Sequence, residues 1–146
     1  MDADRLEPGR DRPSVLVVGV DGSDTSWRAL YYAFGLARRQ HSTVTAVFAV
    51  TTGAGFVATM LVPGHFSIEV ADRLKPTIEA LAADYDVPTR FVSVEGDPVA
   101  VLTRIAAAQH ADALILGASR ALGHRRFGSI ALRVVRRSAR PVTVVP

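Results

Sequence analysis

The sequence predicts an α/β protein: one open sheet of five parallel strands with helices on both faces. Three observations carry that prediction. Five short apolar runs, at residues 15–20, 43–50, 89–94, 113–116 and 142–145, alternate with segments of helical periodicity, and the order β-α-β-α-β-α-β-α-β is that of a parallel sheet joined by crossover helices. The first run, Val-Leu-Val-Val-Gly-Val, is too uniformly apolar to be one face of a surface sheet and reads as a strand buried on both sides. At 146 residues and 49% hydrophobic, the chain is long enough for one domain with a real core and too short for two ordinary ones.

Each element has its own justification. Residues 21–24, Asp-Gly-Ser-Asp, end the first strand in a turn. From Ser26 onward, Trp27, Leu30, Tyr31, Phe34 and Ala37 recur at helical spacing, with Arg38 and Arg39 in the last turn, where cations suit the helix dipole. After the second strand, residues 51–66 carry no charge but contain three Gly and one Pro, which makes them an apolar loop or lid with room for a short helical piece. Residues 67–86 resume helical periodicity through Ile68, Val70, Ala71, Leu74, Ile78 and Leu81, and Pro76 inside them is expected to kink or divide that helix. Gly96-Asp97-Pro98 follows the third strand as a helix start, with Asp97 as N-cap and Pro98 at the first helical position. Its helix runs over 99–109, and a last helix opens near Ser129 between the fourth and fifth strands.

Composition excludes several function classes. No apolar run approaches the ~20 residues of a membrane-spanning helix, and residues 1–13 are charged, with no signal-peptide core. The expectation is a cytoplasmic protein in which residues 1–13 form a disordered leader and 14–146 the domain. The absence of Cys fits a reducing compartment and removes thiolate nucleophiles and cysteine zinc sites. His41, His65, His110 and His124 lack metal-ligand spacing, and there is neither a Walker loop nor a Gly-x-Ser-x-Gly elbow. No catalytic and no metal-ligating residue is assigned, and a binding protein rather than an enzyme is expected. Gly53-Ala-Gly55-Phe-Val-Ala58 matches a dinucleotide fingerprint, but Pro63-Gly64 would stop its helix early and no strand-ending acid follows at the required distance.

In an open parallel sheet, ligands bind outside the carboxyl ends of the strands, near the point where strand order reverses. Three loops emerge there: residues 21–25, 51–66 and 117–128. Gly117 can let the backbone approach a ligand or adopt positive φ, and Ser129 offers a hydroxyl beside the free N–H groups of a helix start. The plainer reading is that Gly117 ends a strand and Ser129 caps a helix. Asp21 is placed to accept hydrogen bonds from a ribose or to help hold a phosphate-bound metal, or else it is simply a turn residue with Ser23 and Asp24. The net charge of +3 is unevenly spread: after Asp112 there are seven arginines and no acid, while the residues before carry ten cationic and fourteen acidic side chains.

Val-Gly-Val-Asp21-Gly-Ser-Asp-Thr-Ser-Trp-Arg-Ala-Leu, Glu95-Gly-Asp-Pro-Val-Ala-Val-Leu, and Ala-Asp-Ala-Leu-Ile-Leu-Gly117-Ala-Ser through Gly128-Ser129 to Arg140-Pro-Val-Thr-Val-Val together resemble a universal stress protein domain, over residues 15–145. The resemblance implies a Rossmann-like fold of the adenine nucleotide alpha hydrolase type, and a homodimer formed through the strand at 142–145. It implies a site for an adenine nucleotide (ATP, ADP, AMP or cyclic AMP, with magnesium if ATP) in a stress-response sensor or regulator, with at most slow, incidental ATP hydrolysis. The implied contacts are Asp21 near the ribose, the main chain of Ala49 at adenine, and Gly117, Gly128, Ser129 and the backbone of Ile130 at the phosphates.

The family pattern Gly-x-x-Gly-x9-Gly-Ser/Thr is broken here, because Arg120 stands where the second Gly belongs and only seven residues separate it from Gly128. Two outcomes follow. Arg120 blocks the phosphates, leaving a nucleotide-free homodimeric interaction module with an unidentified protein partner. Alternatively Arg120, Arg125 and Arg126, with His124 nearby, contact phosphate in place of the missing backbone geometry, and binding is retained but weak. Arg133, Arg136, Arg137 and Arg140 form a basic stripe beside Ile130, Val134 and Val135 on the last helix. A charged outer helix face is ordinary and no aromatic platform accompanies it beyond Phe127, so neither nucleic acid nor a membrane is expected as a partner.

Overall fold

A computed structural model describes residues 14–51, 68–118 and 129–146. The expected leader, the loop beyond Thr51, and Arg120, His124, Arg125, Arg126, Phe127 and Gly128 lie outside the described residues. Within them the chain runs β1 (Val15–Gly19), α1 (Asp24–Gln40), β2 (Thr43–Val50), α2 (Ile68–Tyr85), β3 (Thr89–Glu95), α3 (Pro98–Ala108), β4 (Ala113–Gly117), α4 (Ser129–Arg137) and β5 (Val142–Val145). All strand pairs are parallel, in the order β3-β2-β1-β4-β5, which is the predicted architecture.

β1 is the hub of the sheet: Val17 sits opposite Thr45 of β2 on one side and Leu114 of β4 on the other. Successive side chains of a strand point to opposite faces, and the core divides accordingly. Leu16 and Val18 join Phe34, Phe48, Leu74 and Ile78 beneath α1 and α2. Val17 joins Val47, Val99, Leu102, Leu114 and Val134 beneath α3 and α4. The uniform apolarity of β1 is therefore that of a strand covered on both faces.

The helix starts follow from capping chemistry. Asp97 caps α3 by accepting from the Ala100 N–H at 3.0 Å, with Pro98 in the first turn as predicted. α1 begins at Asp24, two residues before its apolar periodicity, because Ser23 is the N-cap and accepts from the Ser26 N–H at 3.3 Å. Among the described residues no helix is long and apolar enough to cross a membrane.

Of the two outcomes expected at Pro76, division does not occur: α2 is one helix from Ile68 to Tyr85 with the proline inside it. Pro76 has no N–H to give to the carbonyl four residues back. The buried row Ala71, Leu74, Ile78 and Ala82 on either side keeps both halves docked on the sheet, so tertiary burial overrides local propensity. Pro76 itself is exposed. Replacing it with Ala should restore the missing bond and raise stability by about 2 kcal/mol, read as a higher urea midpoint at unchanged slope; no gain would mean that the helix already accommodates the proline without strain.

Candidate functional site

The carboxyl edge of the sheet collects the turn after β1, the end of β2 and the end of β4. Strand order reverses between β1 and β4, so Asp21 and Gly117 flank the switch point. A cavity of about 600 Å³, lined in part by Arg38, His41, Glu79 and Asp86, opens at the opposite edge, where β2 and β3 begin. It touches none of the residues predicted for binding.

Asp21 lies half-buried in a tight turn. Its Oδ1 accepts from the Ser23 N–H at 2.8 Å, Gly22 takes φ +82, and the Asp21 N–H donates to Ser26 Oγ at 3.3 Å. One carboxylate oxygen thus does the work of a turn residue. The other, Oδ2, makes no hydrogen bond to a described residue.

Main-chain directions along β2 alternate. The Val47 carbonyl accepts from the Val20 N–H at 2.9 Å, on the β1 side; the Val44 N–H donates to the Pro88 carbonyl, and the Val50 carbonyl accepts from the Gly96 N–H, both at 2.9 Å on the β3 side. Odd-numbered residues of β2 therefore direct their N–H and C=O groups toward β1. Among the described residues, the bond between Val20 and Val47 is the last on that side. Ala49, one step further, points its main-chain donor and acceptor at the gap above Val20 while its side chain is buried.

Gly117 has a different reason to be glycine from the two weighed in the sequence. Among the described residues its φ is not one of the positive values. A Cβ on it would meet the Thr25 carbonyl carbon and oxygen at 2.4 Å and the Ser26 nitrogen at 2.7 Å. The backbone that approaches closely is the chain's own first turn of α1. Gly117 is also the last residue of β4, as the plainer reading of the sequence has it.

Ser129 is the first residue of α4, and Ile130 after it packs against the α3–α4 core. The basic stripe does not stand free as a unit. Arg133 Nη2 lies 3.3 and 3.4 Å from the two carboxylate oxygens of Asp97 and ties α4 to the α3 cap, while Arg140 Nη2 lies 3.1 Å from His110 Nδ1. Arg136 and Arg137 are exposed. Of the three apolar positions beside the stripe, Ile130 and Val134 pack inward, while Val135 is 52% exposed, as is Leu132 at 45%.

Comparisons with known proteins agree with this architecture. A model of the universal stress protein family matches residues 14–146. The universal stress protein YxiE of Bacillus subtilis is 25% identical over 143 residues, covering 89% of this chain and 97% of its own. A universal stress protein UspA from Lactobacillus plantarum superposes with a TM-score of 0.74 at 21% identity, over 94% of this chain and 100% of its own. A universal stress protein in complex with cAMP gives a TM-score of 0.72 at 24% identity, over 91% and 97%.

Gly117→Ala is a direct test of the packing assignment. The added methyl must push the α1 first turn off β4, at a cost of about 3 kcal/mol. The loss should appear as a lower denaturation midpoint in protein free of any nucleotide; an unchanged midpoint would return Gly117 to the role of a ligand-facing glycine.

Proposed function

Because the chain belongs to the universal stress protein family, we propose that it binds an adenine nucleotide weakly at the carboxyl edge of the sheet and acts as a sensor or regulator in a stress response. The observation that carries the reading is the Ala49 main-chain pair, directed at the gap beside β1 and next to an Asp21 oxygen left over from its turn. The strand order β2-β1-β4 supports three subsites in a line on this reading. Base at Ala49, ribose at Asp21 and phosphates at the start of α4 span two strand spacings, about 10 Å, which is the reach of a nucleotide. On this reading the α4 N-terminus, with the Ile130 backbone, supplies the anion end. A structure of the same fold holds cAMP, which favours an adenine ligand.

Weak binding follows from double use. Asp21 Oδ1 is already spent on the Ser23 N–H, and the close face of Gly117 is already filled by Thr25. Among the described residues no group of three His, Asp or Glu is placed to hold a metal, and on this reading any magnesium arriving with ATP would be held mainly through the phosphates. On this reading the protein holds its nucleotide without turning it over.

At about ten times its Kd, AMP should stabilise the protein by about 1.4 kcal/mol and raise Tm by about 3–5 °C. Asp21→Ala should abolish that rise, whereas an unchanged rise would remove Asp21 from the site. Mass spectrometry of the denatured purified protein, free of any carried-over adenine nucleotide and paired with no AMP shift, would defeat the reading as a whole.

The homodimer through β5 belongs to the same proposal, and a specific observation favours it. β5 is an edge strand whose four residues are half-buried, and α4, the helix before it, exposes the apolar side chains of Leu132 and Val135. Unpaired edge groups bordered by apolar side chains are suited to pairing with a second copy. This surface also serves the alternative, a nucleotide-free interaction module. Val135→Glu should convert a dimer to a monomer by light scattering on a sizing column; a dimer that survives it would place the contact elsewhere.

A further inference from the structure

The described residues contain one buried side-chain oxygen or nitrogen without a hydrogen-bond partner, the hydroxyl of Thr51. Other hydroxyls in buried positions are paired. Thr45 Oγ1 donates to Gln109 Oε1 at 2.8 Å, Ser26 Oγ donates to the Ser23 carbonyl at 3.0 Å, and the Ser42 hydroxyl is bonded to that of Ser14. A buried hydroxyl without a partner destabilises the fold, so a chain that keeps one has a use for it or a solvent molecule on it. Thr51 follows the last residue of β2 and lies two positions past Ala49. It stands at the carboxyl edge, on the strand next to the one that ends in Asp21.

The geometry points to Thr51 as a specificity-determining contact to the base of the bound nucleotide. The inference rests on the adenine-nucleotide reading above and extends it from main-chain to side-chain recognition. Asp21 marks the ribose on β1 and the α4 start marks the phosphates beyond β4, so a group at the end of β2 meets the far end of the ligand, which is the base. A threonine hydroxyl has one donor and two acceptor positions. It can therefore serve either the amino group or a ring nitrogen of adenine, and the pairing that the free protein lacks is completed when the base arrives. A base edge without those polar groups would leave the hydroxyl unpaired, which is how a single buried polar atom discriminates between ligands.

The test separates the two claims by opposite signs in one variant. Thr51→Val keeps the shape and removes the hydroxyl. The nucleotide-free variant should melt about 2–4 °C above the wild type, while its Kd for AMP by calorimetry should rise about tenfold. Thr51→Ser, which keeps the hydroxyl, should hold the wild-type Kd. Should Thr51→Val not fold, Thr51→Ala read for AMP affinity against Thr51→Ser makes the same comparison. An AMP Kd equal to that of the wild type in the variant without the hydroxyl overturns the Thr51 inference and leaves the nucleotide site standing. A nucleotide-free Tm that does not rise shows the hydroxyl to be already paired and removes the premise. A wild type that binds no AMP overturns both readings together.

Discussion

The contact between the first turn of α1 and the end of β4 sets the geometry of everything at the carboxyl edge. Thr25 and Ser26 come so close to Gly117 that no Cβ fits between them. That approach fixes the start of α1 directly over the switch point. The turn before it must then close within a few residues, which Asp21, Gly22 and Ser23 achieve through a side-chain bond and a positive φ. The direction in which Asp21 can offer its remaining oxygen is thus a consequence of packing on the next strand. The crevice is shaped from within the domain before any ligand is considered.

The two cores are built differently, and the difference locates the free surfaces. Under α1 and α2 lie large side chains such as Phe34, Phe48 and Ile78, and Tyr85 adds an aromatic contact at 5.5 Å from the Phe34 ring. Under α3 and α4 the filling is mostly Val, Ala and Leu. α4 is short and is held sideways to α3 by the Arg133 and Asp97 pair, about half-exposed on both sides, so that pair orients the helix more than it stabilises it. On α4 itself, Leu132 and Val135 remain exposed.

The strands, the Asp97-Pro98 helix start and the candidate edge were legible in the sequence because each depends on local pattern: β-branched runs, a cap followed by proline, and loops after strands. What escaped depended on distant partners. Pro76 reads as a break unless one knows that Leu74 and Ile78 are buried on the same side of the sheet. Gly117 reads as room for a ligand unless one knows that α1 returns over β4. Val135 stands five residues after Ile130 and one after Val134, off their face of α4, and it is exposed where they pack inward. Thr51 gave no signal at all, since an unpaired hydroxyl is a property of its surroundings and not of its residue type.

On the proposed reading, the groups at this edge would serve structure and recognition at once, and that would limit affinity. Asp21 holds its turn with one oxygen, Gly117 makes room for α1, and the Ala49 main chain is directed past Val20 by the alternation of β2. Each ligand contact would be what remains after a packing requirement has been met. A site assembled this way is preorganised, since the fold itself holds its parts in place, and it saves the ordering entropy that a mobile site would lose on binding. It is also sparse, since few groups are left over. Preorganised but sparse is the combination that would suit the proposed role, in which a ligand comes and goes with its concentration, because affinity would be modest while the geometry is present in the free state.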